Sequence, residues 1–411
     1  MNLPFFIAKR MRFDPYHKGS VSVQIIKIAK VAVALGMSMI LIAVATGKGL
    51  QKEIQNKTVA LNGHLVVTPF ENSESQISIL PIKDEPHTLE MLKSEEGVTQ
   101  VHRVALKGGL LKSTDQFEGI ILKGVGREYQ WEKLKGFLVE GRFPVLGEKT
   151  SNEILLSQRI ARRLSVDLGD ELTAYFQNSQ NQQLPNVRKF KVVGMFLSGF
   201  PDFDENFVLG DLRHIQRINQ WEEDQIGAYE VFTTDLNAAT KAGSSIYLKL
   251  PSEMDVIEIN RQYATIFQWI SLFDFNILII IIVMIVVGVI NMSTALMVLI
   301  LERSNMIGLF KSLGAGNRLI QKVFLYNGVT IMSQGLFWGN LVGILFYLTQ
   351  KYWGWIRLDP ETYYVYIAPV SIEFWDFLGL NLGFLGVSSF LLWIPSMIIS
   401  SISPARVLRF R

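Results

Sequence analysis

Long apolar stretches interrupt an otherwise charged chain of 411 residues. Three of them, 275–301, 323–348 and 377–402, contain no Asp, Glu, Lys or Arg. Each is long enough to cross a hydrocarbon core of about 30 Å, which needs roughly 20 helical residues. A fourth stretch, 31–46, reaches that length if its helix begins near residue 25 and two lysines extend to the interface. The pattern predicts four membrane-spanning helices.

The first apolar stretch also has features of a secretory signal peptide. Lys27 and Lys30 precede it, and it ends in the small-residue triplet Ala43-Val44-Ala45, as at a cleavage site. The segment ahead of it is long for the basic region of a signal peptide. Cleavage would leave the remaining topology unchanged, so the topology does not decide between the two interpretations.

Between the first two spans, the pattern changes to short alternating and β-branched runs, which favour strands. The predicted strands are 64–70, 101–111, 117–125, 171–176, 190–196, 228–233 and 245–250. Helices are predicted over 155–164, over 210–218 with Asp211 as a cap, and over 255–275 as one continuous helix into the second span. That last helix either transmits movement or is only a rigid stalk. The fold class is therefore an α-helical membrane protein with four transmembrane helices and a large mixed α+β extracytoplasmic domain between helices 1 and 2.

A polar loop, 177–189, separates two of these strands and is too long for a tight turn. It is predicted to project from the domain, either as a disordered connector or as a contact surface. Leu184, Pro185 and Asn186 are the candidate binding residues of this loop.

Charge predicts the orientation. Thirteen basic and two acidic residues lie ahead of residue 31, in the loop after the second span and in the tail, so these segments are expected in the cytoplasm. Segment 48–270 has 25 basic and 30 acidic residues and is expected outside. An acidic outer domain excludes a nucleic-acid-binding function.

The predicted organisation runs from a cytoplasmic arm to a cytoplasmic tail. In order, it comprises the arm (1–24), helix 1 (25–47), the extracytoplasmic domain (48–270), helix 2 (271–301), a cytoplasmic loop (302–322), helix 3 (323–348), a short outer loop (349–376), helix 4 (377–402) and the tail (403–411).

Motifs for catalysis are missing from the sequence. It has no cysteine, no H-E-x-x-H, no G-x-S-x-G, and no histidines at metal-ligand spacing. The segment 141–150 departs from a Walker A loop in its glycine spacing. We therefore predict no catalytic residue, metal or cofactor on this chain, and no ATP hydrolysis by the chain itself.

Glycines recur every four residues in the last two spans, which places them on one helical face where another helix can approach closely. They are Gly335, Gly339 and Gly343 in the third span, and Gly379 and Gly383 in the fourth. Packing within the chain and packing against another subunit both explain the pattern.

The loop after the second span contains a short amphipathic helix. Met306, Leu309, Phe310 and Leu313 fall on one face, and Gly314 ends it. Such a helix either lies at the membrane interface or docks on a cytoplasmic partner.

The motifs around this helix resemble those of the FtsX-like superfamily of ABC transporter permeases, also called the MacB or type VII group. They are ER-x-x-x-IG-x-x-x-x-LGA from residue 302, then FLYNG, a closing P-A-x-x-L-R from Pro404, and a short N-terminal helix at 5–10. The resemblance implies an FtsX-like permease domain over 271–411. It implies that residues 304–313, flanked by Glu302, Arg303 and Gly314, form the coupling helix that contacts the ATPase.

Within the superfamily, the chain is most similar to the lipoprotein-releasing permeases of the LolC and LolE type. That resemblance implies a bacterial inner-membrane subunit that passes lipoproteins to a periplasmic LolA-like carrier. It would act with a LolD-like ATPase dimer, which holds ATP and Mg, and with a second permease copy or a paralogue. Its loop 177–189 is shorter than the carrier-binding loop of LolC, which leaves a LolE-like role open. The alternatives are export of another amphiphile, or transmission of ATP-driven motion to a periplasmic hydrolase.

Overall fold

Four helices in the computed structural model are long and apolar enough to cross a membrane. The structure describes residues 3–12, 21–73, 75, 77–114, 116–177 and 184–401. These divide into two compact units. The first unit comprises the chain up to Lys52, Ile270–Arg357 and the chain from Ile367, and the second comprises Glu53–Trp269 and Leu358–Tyr366. The closing P-A-x-x-L-R motif lies outside the described residues.

The helices of the described residues differ widely in length. In chain order they are α1 (Leu3–Arg12), α2 (Val21–Asn62), α3 (Pro86–Ser94), α4 (Gln158–Leu164), α5 (Pro201–Asn206), α6 (Leu212–Asn219), α7 (Leu236–Lys249), α8 (Ile259–Gln262), α9 (Ala264–Glu302), α10 (Ser304–Ser312), α11 (Asn317–Trp353), α12 (Pro360–Tyr363), α13 (Phe374–Leu391) and α14 (Trp393–Ser396). The four longest, α2, α9, α11 and α13, contribute to the first unit.

The strands all belong to the second unit. They are β1 (Leu65–Pro69), β2 (Ile82–Lys83), β3 (Val98–Lys112), β4 (Phe117–Val125), β5 (Leu138–Gly141), β6 (Glu153–Ser157), β7 (Glu171–Phe176), β8 (Asn186–Phe196), β9 (Phe207–Asp211), β10 (Gln225–Ile226), β11 (Ala228–Thr233) and β12 (Met254–Glu258).

Ten of these strands form one sheet in the order β12-β1-β11-β3-β4-β9-β6-β8-β5, with β7 pairing both β3 and β8. The pairs β4–β9 and β6–β8 are parallel, and the others are antiparallel. Helices α4, α6 and α7 bury apolar side chains in the core of this unit, among them Ile160, Ile215 and Ile246. The second unit is thus a mixed α/β domain.

The long helices of the first unit share a separate apolar core. Met37 of α2, Met292 of α9, Phe324 of α11 and Phe384 of α13 are each at most 2% exposed in it. Helix α1 lies beside α11, where Phe5 meets Tyr326 edge to face at 5.9 Å. The fourth apolar helix is not regular throughout, because α14 and a 3-10 turn at Met397–Ser401 follow α13.

Three sequence predictions for this part of the chain were wrong in whole or in part. The predicted strand 245–250 is helix α7 up to Lys249, and the predicted helix 155–164 is strand β6 up to Ser157 and helix α4 from Gln158. The predicted continuous helix 255–275 is divided into β12, α8 and α9, with a break at Tyr263. Strand β12 forms because residues 254–258 pair with β1 across the sheet.

Helix α2 continues well past its apolar part and ends inside the second unit. Gly63, at φ +76°, ends it in the left-handed conformation that glycine adopts at low cost. The carbonyl of its penultimate residue, Leu61, accepts a hydrogen bond from Lys123, which is 1% exposed and also pairs with Glu230. A buried ammonium therefore anchors the end of this helix on the sheet.

Candidate functional site

The segment after α9 folds as a separate short helix, α10, as the sequence predicts. It begins after Arg303 and ends before Gly314, whose φ of +90° and backbone bond to the Lys311 carbonyl form a left-handed cap. Glu302 is exposed at the end of α9, and Arg303 is half-buried between the two helices. The cap explains why a glycine follows the helix, since a side chain at residue 314 would strain the turn.

The predicted apolar face of α10 divides into an inner and an outer part. Met306 and Phe310 pack against the core of the first unit, beside the buried Ile307. Leu309 and Leu313, one turn apart, are 51% and 76% exposed. Helical spacing alone predicts one continuous face, whereas in the structure Leu309 and Leu313 are the two exposed side chains of the four.

Lys311 ties α10 to the fourth apolar helix. Its Nζ donates a hydrogen bond to the carbonyl oxygen of Ile399 at 2.7 Å. Ile399 lies in the 3-10 turn at Met397–Ser401. Sequence reasoning missed this contact, although a basic residue in the last turn of α10 is visible in the sequence.

The glycines of the third span pack against α2 within the chain. A Cβ added at Gly335 would lie 2.8 Å from the Val33 side chain, and one at Gly339 would lie 2.6 Å from the Ala34 carbonyl oxygen. At Gly343 it would lie 2.7 Å from Leu41. These three glycines therefore lie where α11 approaches α2 closely within the chain.

The glycines of the fourth span differ. A Cβ at Gly379 or Gly383 would have no atom of the described residues within 4 Å. On another part of α13, Asn381 exchanges amide hydrogen bonds with Asn340 of α11 at 2.7 and 3.2 Å. Hydrogen bonds of this kind connect helices in a membrane. Two polar residues within apolar spans are the sequence signal that would have found the pair.

The candidate binding loop is shorter than predicted, because β8 already begins at Asn186 and pairs with β7. Leu184 is 69% exposed and Pro185 is exposed. The Asn186 side-chain amide donates to the Ile218 carbonyl at 3.5 Å, so this residue is held against the domain. Residues 178–183 lie outside the described residues.

The second unit also contains a polar cavity of about 760 Å³. Two of its four arginines pair with carboxylates: Arg103 with Asp84 at 2.6 Å and with Glu128 at 3.4 Å, and Arg213 with Asp211. Burial acts to raise the pKa of Asp211, but hydrogen bonds from Arg213 and from the Ser151 amide hold that pKa below its usual range. Burial acts to lower the pKa of Arg103, but Asp84 and Glu128 raise it. In the part of the chain that the structure describes, no three His, Asp or Glu residues are placed to hold a metal ion.

Two family models match the chain in sequence order. The model of the MacB-like periplasmic core domain matches residues 28–266, and that of the FtsX-like permease C-terminal domain matches residues 278–404. The chain belongs to the FtsX-like, MacB-type family of ABC transporter permeases.

Relatives resemble this permease over nearly its whole length. It is 21% identical to the lipoprotein-releasing system transmembrane protein LolC of Xylella fastidiosa (strain Temecula1 / ATCC 700964), over 99% of each chain. It is 22% identical to the corresponding LolE protein of Haemophilus influenzae, again over 99% of each chain. The crystal structure of the periplasmic region of MacB from Actinobacillus actinomycetemcomitans covers 49% of the permease and 91% of its own chain, with 16% identity and a TM-score of 0.35.

Proposed function

We propose that this permease is the membrane subunit of an ABC transporter that extracts lipoproteins from the outer leaflet of the bacterial inner membrane. A separate ATPase supplies the energy, and a periplasmic carrier receives the lipoprotein. The observation that carries the proposal is the similarity to LolC and LolE proteins over 99% of both chains. The basic arm, loop and tail support an orientation with both termini and α10 in the cytoplasm and the α/β domain in the periplasm.

In this proposal, α10 docks on the ATPase dimer through Leu309 and Leu313. Two exposed leucines one turn apart are a typical anchor for a helix that enters an apolar groove. Met306 and Phe310, on the inner side, join α10 to the core of the first unit. Lys311 adds a polar link to the end of the fourth apolar helix. A push on the two leucines would therefore reach the membrane helices through the inner packing of α10 and through Lys311.

The work required is extraction of acyl chains from the bilayer. Removing an acyl chain costs about 0.8 kcal/mol per CH₂, which makes spontaneous release of a multiply acylated protein slow and an energy source necessary. The described part of α9 from Phe275 to Leu301 presents many exposed apolar side chains, including Phe275, Ile282 and Ile290. This surface suits a path for acyl chains, or contact with a second permease copy or paralogue.

The carrier and the second permease are proposed to bind two surfaces that the described residues of this chain leave uncovered. The exposed Leu184 and Pro185 suit contact with a LolA-like carrier. Gly379 and Gly383 leave room for close approach of another helix, as in a permease dimer.

The test is depletion of the protein in a diderm host, followed by quantification of the lipoproteins retained in the inner membrane. We expect retention on depletion and rescue by the parent chain. Leu309→Ser/Leu313→Ser should fail to rescue, because the docking surface is lost while the inner packing remains. Gly314→Pro should also fail, because proline cannot adopt a φ of +90°.

The matched control is Leu248→Ser, an 84% exposed leucine of the α/β domain, which should rescue fully. Co-purification of the ATPase with each variant separates loss of docking from loss of folding. Normal lipoprotein sorting after depletion would contradict the proposal and favour an exporter of another amphiphile. Normal sorting together with nucleotide-dependent binding of a periplasmic hydrolase would favour a protein that transmits ATP-driven motion to that hydrolase.

A further inference from the structure

The segment between α11 and α13 folds with the second unit, although the chain on either side of it belongs to the first. Residues Leu358–Tyr366 are part of the second unit. The Leu358 amide donates to the Tyr366 carbonyl at 2.9 Å, and the Tyr363 amide donates to the Asp359 carbonyl at 2.9 Å. The segment is thus an ordered loop whose two ends are hydrogen-bonded to each other.

The chain just outside this segment is held together by one buried side chain. Gln350 of α11 is 2% exposed, and its Nε2 donates to the Ala368 carbonyl at 2.9 Å. Its Oε1 accepts from the Ile356 amide at 3.1 Å, and Arg357 forms a bridge with Ile367 beyond it. Gln350 thus joins the end of α11 to the two chain ends that lead into the segment.

Lys57 of α2 holds the segment within the second unit. Its Nζ donates to the carbonyl oxygens of Ser198 and Tyr364, both at 3.0 Å. Hydrogen bonds from a charged donor are roughly twice as strong as neutral ones. Burial lowers the pKa of Lys57, against the opposing effects of the Glu53 and Asp204 carboxylates. The ammonium has thus given up hydration to make this contact.

The loop after β8 is shaped for the contact. The Asp204 carboxylate is fully buried and accepts from the Ser198 amide at 2.8 Å, from the Ser198 hydroxyl at 2.7 Å and from the Gly199 amide at 2.9 Å. Gly199 has a φ of +86°, and a Cβ there would lie 2.9 Å from the Tyr364 carbonyl oxygen. A glycine at residue 199 is required both for the turn and for this close approach.

Tyr364 is itself held in an uncommon conformation. Its φ is +60°, a left-handed value that costs a residue with a side chain about 1 kcal/mol or more. Its ring stacks on Phe200 at 4.9 Å and meets Trp269 edge to face at 5.8 Å. Strain of this kind persists only where the surroundings over-determine the conformation.

We propose that the contact of Lys57 with Tyr364 is a clasp that makes the segment Leu358–Tyr366 a third mechanical link between the membrane helices and the α/β domain. The other two links are the long helices α2 and α9, which run from one unit into the other. Lys57 is a positioning residue in this scheme. The inference rests on the proposed function, since a transport cycle supplies the movement that the link transmits.

The clasp is tested first without transport, by hydrogen exchange on the purified full-length chain. Lys57→Met should raise exchange at the Leu358 and Gly199 amides by about ten-fold, the effect of losing a charge-assisted hydrogen bond on local opening. Lys57→Arg keeps a donor and should retain most of the protection. Lys52→Met, an exposed lysine on the same helix, is the matched control. Unchanged exchange in Lys57→Met would overturn the clasp.

The mechanical link is tested next in proteoliposomes that contain the complex with its ATPase. The measured quantity is the ratio of ATP hydrolysed to lipoprotein released. Lys57→Met should raise this ratio several-fold while the ATPase rate is retained, and Lys57→Arg and Lys52→Met should match the parent. Because the chain has no cysteine, Phe200→Cys/Tyr364→Cys can be joined by a short bis-maleimide in the Lys57→Met background. This cross-link should restore the parent ratio.

The two hypotheses fail differently. A parent complex that releases no lipoprotein contradicts the proposed function, and the exchange experiment alone then decides the clasp. A parent complex that releases lipoprotein, with an unchanged ratio in Lys57→Met, overturns the third link. Loss of ATPase activity in Lys57→Met that the cross-link does not restore also overturns it, because the lysine would then be needed only for folding.

Discussion

His64 and His102 are buried in the second unit in surroundings that keep both imidazoles neutral. Burial lowers the pKa of each to about 4, and the charge of Lys133 adds to the effect. Lys123 lowers the pKa of His102 further, whereas Asp235 opposes the shift of His64. The Nδ1 of His64 accepts a hydrogen bond from the Thr233 amide at 3.0 Å, which a protonated nitrogen could not do.

These shifts predict that acid destabilises the α/β domain. The unfolded chain takes up protons near pH 6.5 and the folded imidazoles only near pH 4, so the unfolded state binds more protons between these values. The stabilisation is complete above about pH 6.5 and is lost as the pH falls towards 4. Each histidine contributes at most about 3 kcal/mol to this loss.

Hydrogen exchange at the β11 amides of the full-length chain, followed from pH 7 to 4 and corrected for intrinsic rates, measures this loss. His102→Phe keeps an aromatic ring beside Tyr129 and Phe232 and should flatten the pH profile by about half. His87→Gln changes an exposed histidine and should leave the profile unchanged. A profile that His102→Phe does not alter would contradict the assignment.

At the scale of elements, the local pattern of alternating and β-branched residues predicts two strands with their bounds. Strand β4 is present with the predicted bounds, Phe117–Val125, as is β7 at Glu171–Phe176. The pattern fails at 245–250, where Ile246, Leu248 and Leu250 alternate as in a strand. Leu248 is 84% exposed, because the buried face of α7 is instead Ala239, Ala242, Gly243 and Ile246 at helical spacing.

Other elements depend on partners that are distant in sequence. Residues 254–258 share the helical spacing of the segment after them, yet they form β12 because β1 lies beside them. In the same way, α10 is predictable as a helix, but which of its apolar residues face inward is decided by the core of the first unit. The clasp at Lys57 joins three segments that no local pattern connects. Sequence periodicity therefore predicts elements and candidate faces, and tertiary contacts select among them.

Helix packing in the first unit gives a matched pair of substitutions. Gly339→Val would place side-chain atoms where a Cβ is already 2.6 Å from the Ala34 carbonyl oxygen of α2. We expect a loss of about 1 to 3 kcal/mol from overpacking. Gly383→Val meets open space in the described chain and should leave the stability of the isolated permease nearly unchanged.

Thermal unfolding of the two purified variants in detergent measures the difference. A lower melting temperature for Gly339→Val alone is the expected result. Equal decreases of the melting temperature in both variants would contradict the assignment of an open face to α13 at Gly379 and Gly383. If Gly383→Val unfolds normally but no longer co-purifies with a second permease copy or paralogue, the open face is a subunit contact.

At the scale of the whole molecule, the chain passes between two units with separate cores in α2, in α9 and at each end of the segment Leu358–Tyr366. The α/β domain is acidic, whereas the arm, loop and tail are basic. Such an asymmetry orients a membrane protein during insertion, and in the proposed orientation α10 is cytoplasmic and the α/β domain periplasmic. A device that turns ATP hydrolysis into movement of a periplasmic domain requires its docking helix and the driven domain on different sides of the membrane.

Single cysteines test the orientation, since the natural chain has none to remove. Leu248 of the α/β domain, Leu313 after α10 and Tyr352 near the end of α11 are 84%, 76% and 76% exposed, so cysteines there should be reachable. In intact spheroplasts, a membrane-impermeant maleimide should label Leu248→Cys and Tyr352→Cys. It should label Leu313→Cys only after the membrane is opened. Labelling of Leu313→Cys from outside would place α10 on the wrong side for any cytoplasmic ATPase and would contradict the proposed transport mechanism itself, whichever substrate is carried.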